Sequence, residues 1–147
     1  MKAVVVAALL AISMSGSWAA LGGRPANLGP RVLAAQTHAE STGQAAYTEV
    51  ENKLESGTVV HEYTDAGGTV FAVSWSGPFL PNLKEILGVH FDTMVEQARK
   101  APRSGRSHFR LKQSDLVIVS DGHMGSFEGR AWLPSQLPAG FNPGDMK

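Results

Sequence analysis

The stretch Thr69-Val70-Phe71-Ala72-Val73-Ser74-Trp75-Ser76-Gly77-Pro78 decides the fold class. Its β-branched and aromatic residues read as a strand, and Gly77-Pro78 ends it. Alternation puts Phe71, Val73 and Trp75 on one face and Val70, Ala72 and Ser74 on the other. Both sets are apolar or small, which marks a central strand covered on both sides.

Working outward, two similar runs precede it. Tyr47 to Leu54 is closed by Glu55-Ser56-Gly57, and Thr58 to Tyr63 by Thr64-Asp65-Ala66-Gly67-Gly68. Short strands separated by glycine turns are the pattern of an antiparallel meander. Downstream, Pro81 opens a segment in which Leu83, Ile86, Leu87, Phe91, Met94, Val95 and Ala98 recur at spacings of three and four. That spacing predicts one amphipathic helix over Asn82 to Lys100, with Pro102 as its stop. A polar loop follows. Ser114 to Ser120 and His123 to Leu133 then read as two strands joined at Asp121-Gly122. In the last of these, Phe127, Ala131 and Leu133 alternate with Ser126, Glu128 and Arg130, so one face is wet, and Gly125 and Gly129 need a neighbouring aromatic ring over them. The expected fold is therefore α+β: an antiparallel sheet of about five strands in the order βββ-α-ββ, with one long helix packed on one face. Trp75 before Leu80-Pro81 and Trp132 before Leu137-Pro138 share a spacing. Aligning them sets Phe71 on Glu128, however, and the strand faces then disagree, which argues against a duplication.

The beginning of the chain gives an address. Met1-Lys2, an apolar run from Ala3 to Met14 and the small residues of Ser15-Gly16-Ser17-Trp18-Ala19 have the three-part order of a secretory signal. Cleavage is expected between Ala19 and Ala20. An apolar core of about a dozen residues is short of the roughly 20 that a membrane-spanning helix needs, so no transmembrane segment is expected after cleavage. The chain has no cysteine. It can carry neither a disulfide nor a lipid-bearing cysteine, and its core is held by packing alone. Residues 1–19 thus read as the signal, 20–46 as a loosely docked leader poor in large apolar side chains, and 47–147 as a single domain. Within the leader, Val32 and Leu33 read as an anchor or the start of a short helix.

Charge is balanced, with 13 basic and 13 acidic residues, but unevenly spread. Glu40 to Ala98 holds nine acids against Lys53 and Lys84. Arg99, Lys100, Arg103, Arg106, Arg110 and Lys112 follow with no acid among them. This is a candidate patch for an anionic envelope component or an acidic protein face, set against the alternative of a solvated loop. Nucleic acid is not an expected partner, since only Phe109 offers a stacking ring nearby. Of His38, His61, His90, His108 and His123, only His61-Glu62 and His90 with Asp92 are near pairs. Strand alternation separates the first pair and helix geometry the second, so no metal or other cofactor is expected. There is no Gly-x-Ser-x-Gly elbow. Glu62 and Glu128 read as solvent-face strand residues rather than a catalytic pair, and Trp75, Trp132, Tyr63 and Phe127 as core rather than the wall of a ligand groove.

Leu21-Gly22-Gly23, Ser56-Gly57-Thr58, Glu62-Tyr63 and Val70 to Pro78 form one pattern with several later segments. These are Leu83, Leu87-Gly88, Phe91, Asp115-Leu116-Val117, Gly129 to Pro134 and Leu137-Pro138-Ala139-Gly140. Together they resemble the exported Gram-negative bacterial family known as domain of unknown function 2844. The resemblance implies export to the periplasm or the medium and assigns no activity and no site residues. The reading placed first is a non-enzymatic binding module for a protein or an envelope component. The alternatives are a small exported enzyme with an unrecognised site and an inhibitor-like domain acting on a secreted enzyme.

Overall fold

The structure is a computed structural model, and it describes residues 21–26, 28, 47–101 and 108–147 in full and the backbone of 31–38. Among the described residues seven strands form one antiparallel sheet: β1 Arg31–His38, β2 Tyr47–Leu54, β3 Val59–Thr64, β4 Val70–Gly77, β5 His108–Gln113, β6 Leu116–His123 and β7 Ser126–Trp132. Their spatial order is β1-β2-β3-β4-β7-β6-β5. The α+β class holds, and the central position of β4 follows from its run of six buried residues, Val70 to Trp75.

The order is ββββ-α-βββ rather than βββ-α-ββ. One added strand lies within the segment read as a leader: β1 pairs with β2 along its whole length, from Arg31 opposite Leu54 to His38 opposite Tyr47. The other lies in the expected polar loop. In β5 Leu111 is buried and Phe109 packs on the core, while His108, Arg110 and Lys112 face outward. The outward positions are all basic, so a period-two strand presents itself in sequence as a charge run.

The hairpin joining β6 to β7 turns at Met124-Gly125, not Asp121-Gly122. Gly125 has φ of 85°, and His123 pairs with Ser126 on either side of it. Gly122 lies in the strand opposite Phe127. The predicted helix is present as α1 Leu83–Leu87 and α2 Phe91–Lys100, joined by a 3₁₀ turn over Gly88–His90. Gly88 takes φ of 53°, a non-helical value that breaks the cylinder and offsets its halves.

The two faces of the sheet carry separate cores. On one, Val60, Val73, Trp75, Ile118, Ala131 and Leu133 pack against Leu83, Ile86 and Leu87, with Phe91 and Met94 at the edge. Leu21 belongs to this core: its N–H donates to Ile86 O at 3.0 Å, and Gly22 N–H to Val70 O at 2.7 Å. On the other face, Tyr63, Phe71 and Ala72 are covered by the tail through Leu137, Phe141 and Met146. Phe141 meets the rings of Phe71 and Tyr47 edge-on, with centroids 4.9 and 5.1 Å apart.

Phe71 does not share a face with Val73 and Trp75 as strict alternation requires. Thr64 pairs with Val70 and Tyr63 with Ala72, so Phe71 is an extra residue in β4. The bulge turns Phe71 to the tail side and Val70 to the helix side.

Candidate functional site

Four separate segments meet at one end of the sheet. The strap Leu21-Gly22-Gly23 is tied to β4 on both sides of Val70, whose own N–H donates to Gly23 O at 2.8 Å. The break between the helices brings Gly88, Val89 and His90 alongside it. The β5–β6 turn supplies Ser114 and Asp115, and the chain after β7 supplies Leu133 and Gln136. Between them is a cleft of about 480 Å³, also lined by Thr93, Gln113 and Leu116.

Leu21, Leu116 and Leu133 give the cleft an apolar floor, and Val89, 81% exposed, an apolar lip. The ionisable groups of the lining are Asp115 and His90, and its other polar groups are neutral. Asp115 is fixed in place: its Oδ1 accepts the Ser135 N–H at 2.7 Å, and its Oδ2 accepts the Ser135 hydroxyl. These two bonds, the hydroxyl first, hold its carboxyl below the usual range, with a smaller contribution from His90. Burial holds the His90 imidazole below its usual value against the opposing pull of Asp115. At neutral pH His90 therefore offers one donor and one acceptor beside a carboxylate. Ser114, on the wall, has φ of 40°, the one left-handed residue other than glycine among the described residues.

The residues singled out in sequence fall elsewhere. Arg103 and Arg106 lie outside the described residues. Arg99 and Lys100 are exposed at the end of α2, on the helix side of the sheet. Arg110 and Lys112 project from β5 to the opposite side, since their neighbours Phe109 and Leu111 fill the helix-side core. Arg110 donates to both Asp121 oxygens, at 3.0 and 2.9 Å, and His108 Nδ1 lies 2.5 Å from Oδ1. Arg110 first and His108 second hold the Asp121 carboxyl below the usual range. The four described cations of the run thus do not share one face.

Glu62 and Glu128 are on opposite faces, because Glu62 pairs with Val73 and Glu128 with Ser76. Glu62 is not a solvent-face residue. It is 1% exposed on the helix side, accepting the Ala26 N–H at 2.6 Å and Asn52 Nδ2–H at 2.9 Å. His61 points the other way, as alternation predicts, and lies 2.9 Å from Glu49, which also pairs with Lys147 Nζ at 3.1 Å. Trp75 and Trp132 are likewise on opposite sides, so the four aromatics line no common groove. The His38 side chain lies outside the described residues. Among the described residues no three His, Asp or Glu side chains are placed to hold a metal ion, and no helix is long and apolar enough to cross a membrane.

Sequence reasoning missed the cleft because its lining is scattered from Leu21 to Gln136 and its polar groups match no chemical spacing. One signal pointed to it: Leu21-Gly22-Gly23, Gly88, Asp115-Leu116 and Leu133, all among the segments carrying the family resemblance, line this one cavity. The family described as "Protein of unknown function (DUF2844)" matches residues 17–146. The chain belongs to that family. No curated protein and no solved structure is significantly similar. Membership accounts for the whole described domain, the strap and the tail included, and leaves the role of the cleft to its chemistry.

Proposed function

We propose that this DUF2844 domain is an exported, non-enzymatic binding module that acts in the periplasm or the medium and holds its ligand in the cleft beside Asp115. The observation that carries this is the cleft itself: apolar floor, fixed carboxylate and several neutral hydrogen-bonding groups drawn from four segments. The Ser135 hydroxyl donates to Asp115 rather than to His90. Asp115 therefore orients the 3₁₀ turn Pro134–Gln136 and does not orient an imidazole toward a nucleophile, which favours binding over acyl transfer. Export rests on the signal pattern of residues 1–19, and the expected cut leaves Leu21, the first core residue, next to the new end.

Gln136 is exposed on the rim, so Gln136→Trp fills the cleft without touching the core. Native mass spectrometry after incubation with envelope extract of the producing cells should show a bound mass on the wild type that the variant loses. Equal loading of both proteins would remove the cleft from consideration, and turnover of the captured compound would replace the binding reading with an enzymatic one. For the address, fractionation with N-terminal sequencing should find Ala20 as the first residue in the periplasm or medium. An intact Met1 confined to the cytoplasm would overturn export.

A further inference from the structure

Resting on the reading that the cleft binds a ligand, we infer that its occupant enters through a primary ammonium group set against Asp115, with amide or hydroxyl groups beside it. Among the lining residues Asp115 carries the one full charge at neutral pH, and neither lysine nor arginine lines the cavity. The site therefore complements a cation and repels an anion.

The carboxylate is prepared for this role. Each of its oxygens accepts one hydrogen bond from Ser135, which leaves a free lone pair on each for the three donors of an ammonium group. Because Ser135 sits in the 3₁₀ turn Pro134–Gln136, the acceptor is already oriented and little side-chain freedom is lost on binding. A charge-assisted bond of this kind is stronger than a neutral one.

The rest of the lining describes what accompanies the amine. Thr93, Ser114, Gln113 and Gln136 present hydroxyls and carboxamides, which suit amide or hydroxyl partners on the ligand. Leu116 and Leu133 suit a short apolar stem. About 480 Å³ has room for one residue-sized or sugar-sized unit. Two sources share this chemistry, an amine-bearing amino-acid residue and an amino sugar.

The test titrates isotopically labelled protein with Nα-acetyl-lysinamide and with glucosamine, each beside its N-acetylated counterpart, which is uncharged and larger by one acetyl group, and beside glucose, which keeps the size of glucosamine without its charge. The free amines should shift the amide resonances of Gly22, Gly23, Gly88 and Ser114 saturably, with the acetylated forms weaker by about ten-fold or more. The tighter of the two amines identifies the source. Asp115→Asn should abolish the difference between amine and amide, and Ser135→Ala, which keeps the charge but frees the carboxylate, should weaken amine binding by a few-fold. Should either variant fail to fold, the contrast between glucosamine and glucose on the wild type, at constant ligand size, decides the matter. Equal binding of both forms would overturn the inference and leave the cleft as a binding site. So would silence of all four probes while Gln136→Trp still loses its captured mass. If Gln136→Trp also behaves as wild type toward the extract, the cleft reading itself fails.

Discussion

Trp75→Ala will lower the free energy of unfolding by about 3–5 kcal/mol, measured by urea denaturation. Trp75 is 1% exposed at the centre of the helix-side core, where it packs with Val73, Ile118 and Leu133. Its ring also fills a place that a neighbouring residue leaves open. Trp75 pairs with Gly129 across β4 and β7. A Cβ on Gly129 would lie 2.3 and 2.6 Å from two carbons of the indole and 2.8 Å from Val119 O. Gly129→Ala should therefore cost about 1–3 kcal/mol by overpacking. Removing the indole gives that methyl group room, so the double variant should lose less than the sum of the singles by about 1 kcal/mol. The clash with Val119 O is the part that remains. Costs that add to within about 0.5 kcal/mol would show that the ring does not lie over Gly129.

Part of this was legible in the sequence, since a glycine inside a strand asks for a ring to cover it: Gly129 has one, whereas Gly125 lies in the turn with nothing over it, and the sequence did not say that the ring would be that of Trp75. The elements that sequence conveyed most directly were those whose buried positions are large and apolar: β4, β6 and the helical segment announce themselves through Val, Phe, Trp, Leu and Ile, whereas β2 buries Glu49 and Asn52 and was legible from its glycine turn. What sequence hid has definite causes. In β5 the outward residues His108, Arg110 and Lys112 drown the inward signal of Phe109 and Leu111. In β1 the run Ala34-Ala35-Gln36 offers small and polar residues in place of β-branched ones. The bulge that sends Phe71 to the tail side leaves no mark in composition, since Val70, Phe71 and Ala72 are apolar on either reading.

The cleft was harder still to read. His90 and Asp115 are brought together by the break at Gly88 and by the tight turn between β5 and β6, neither of which a spacing rule encodes. Asp92, the neighbour that sequence offers His90, is exposed and does not line the cleft. The described part of the basic run is spread out for a different reason. Contiguous charges suggest a patch, but a strand distributes its side chains by alternation and a partner such as Asp121 engages some of them.

Glu62→Leu is the second variant of large effect, with an expected loss of about 2–5 kcal/mol. The carboxylate accepts from Ala26 N–H and from Asn52 Nδ2–H, in a site where Asn52 and Glu62 are 0% and 1% exposed. Leucine leaves both donors buried without that acceptor, at about 1–3 kcal/mol each. Glu62→Gln keeps one acceptor oxygen and should cost less. A carboxylate inside an apolar core has a structural consequence as well, because Ala26 lies in the N-terminal segment and Glu62 in β3. The bond between them pins the strap Leu21–Gly23 to the sheet, and the strap is one wall of the cleft. Native-state hydrogen exchange separates this local effect from the global one. In Glu62→Leu the amides of Leu21 and Gly22, which donate to Ile86 and Val70, should exchange well ahead of those of Val73 and Ile118. If the four still exchange together, the strap is held without Glu62, and this buried carboxylate has no part in shaping the cleft.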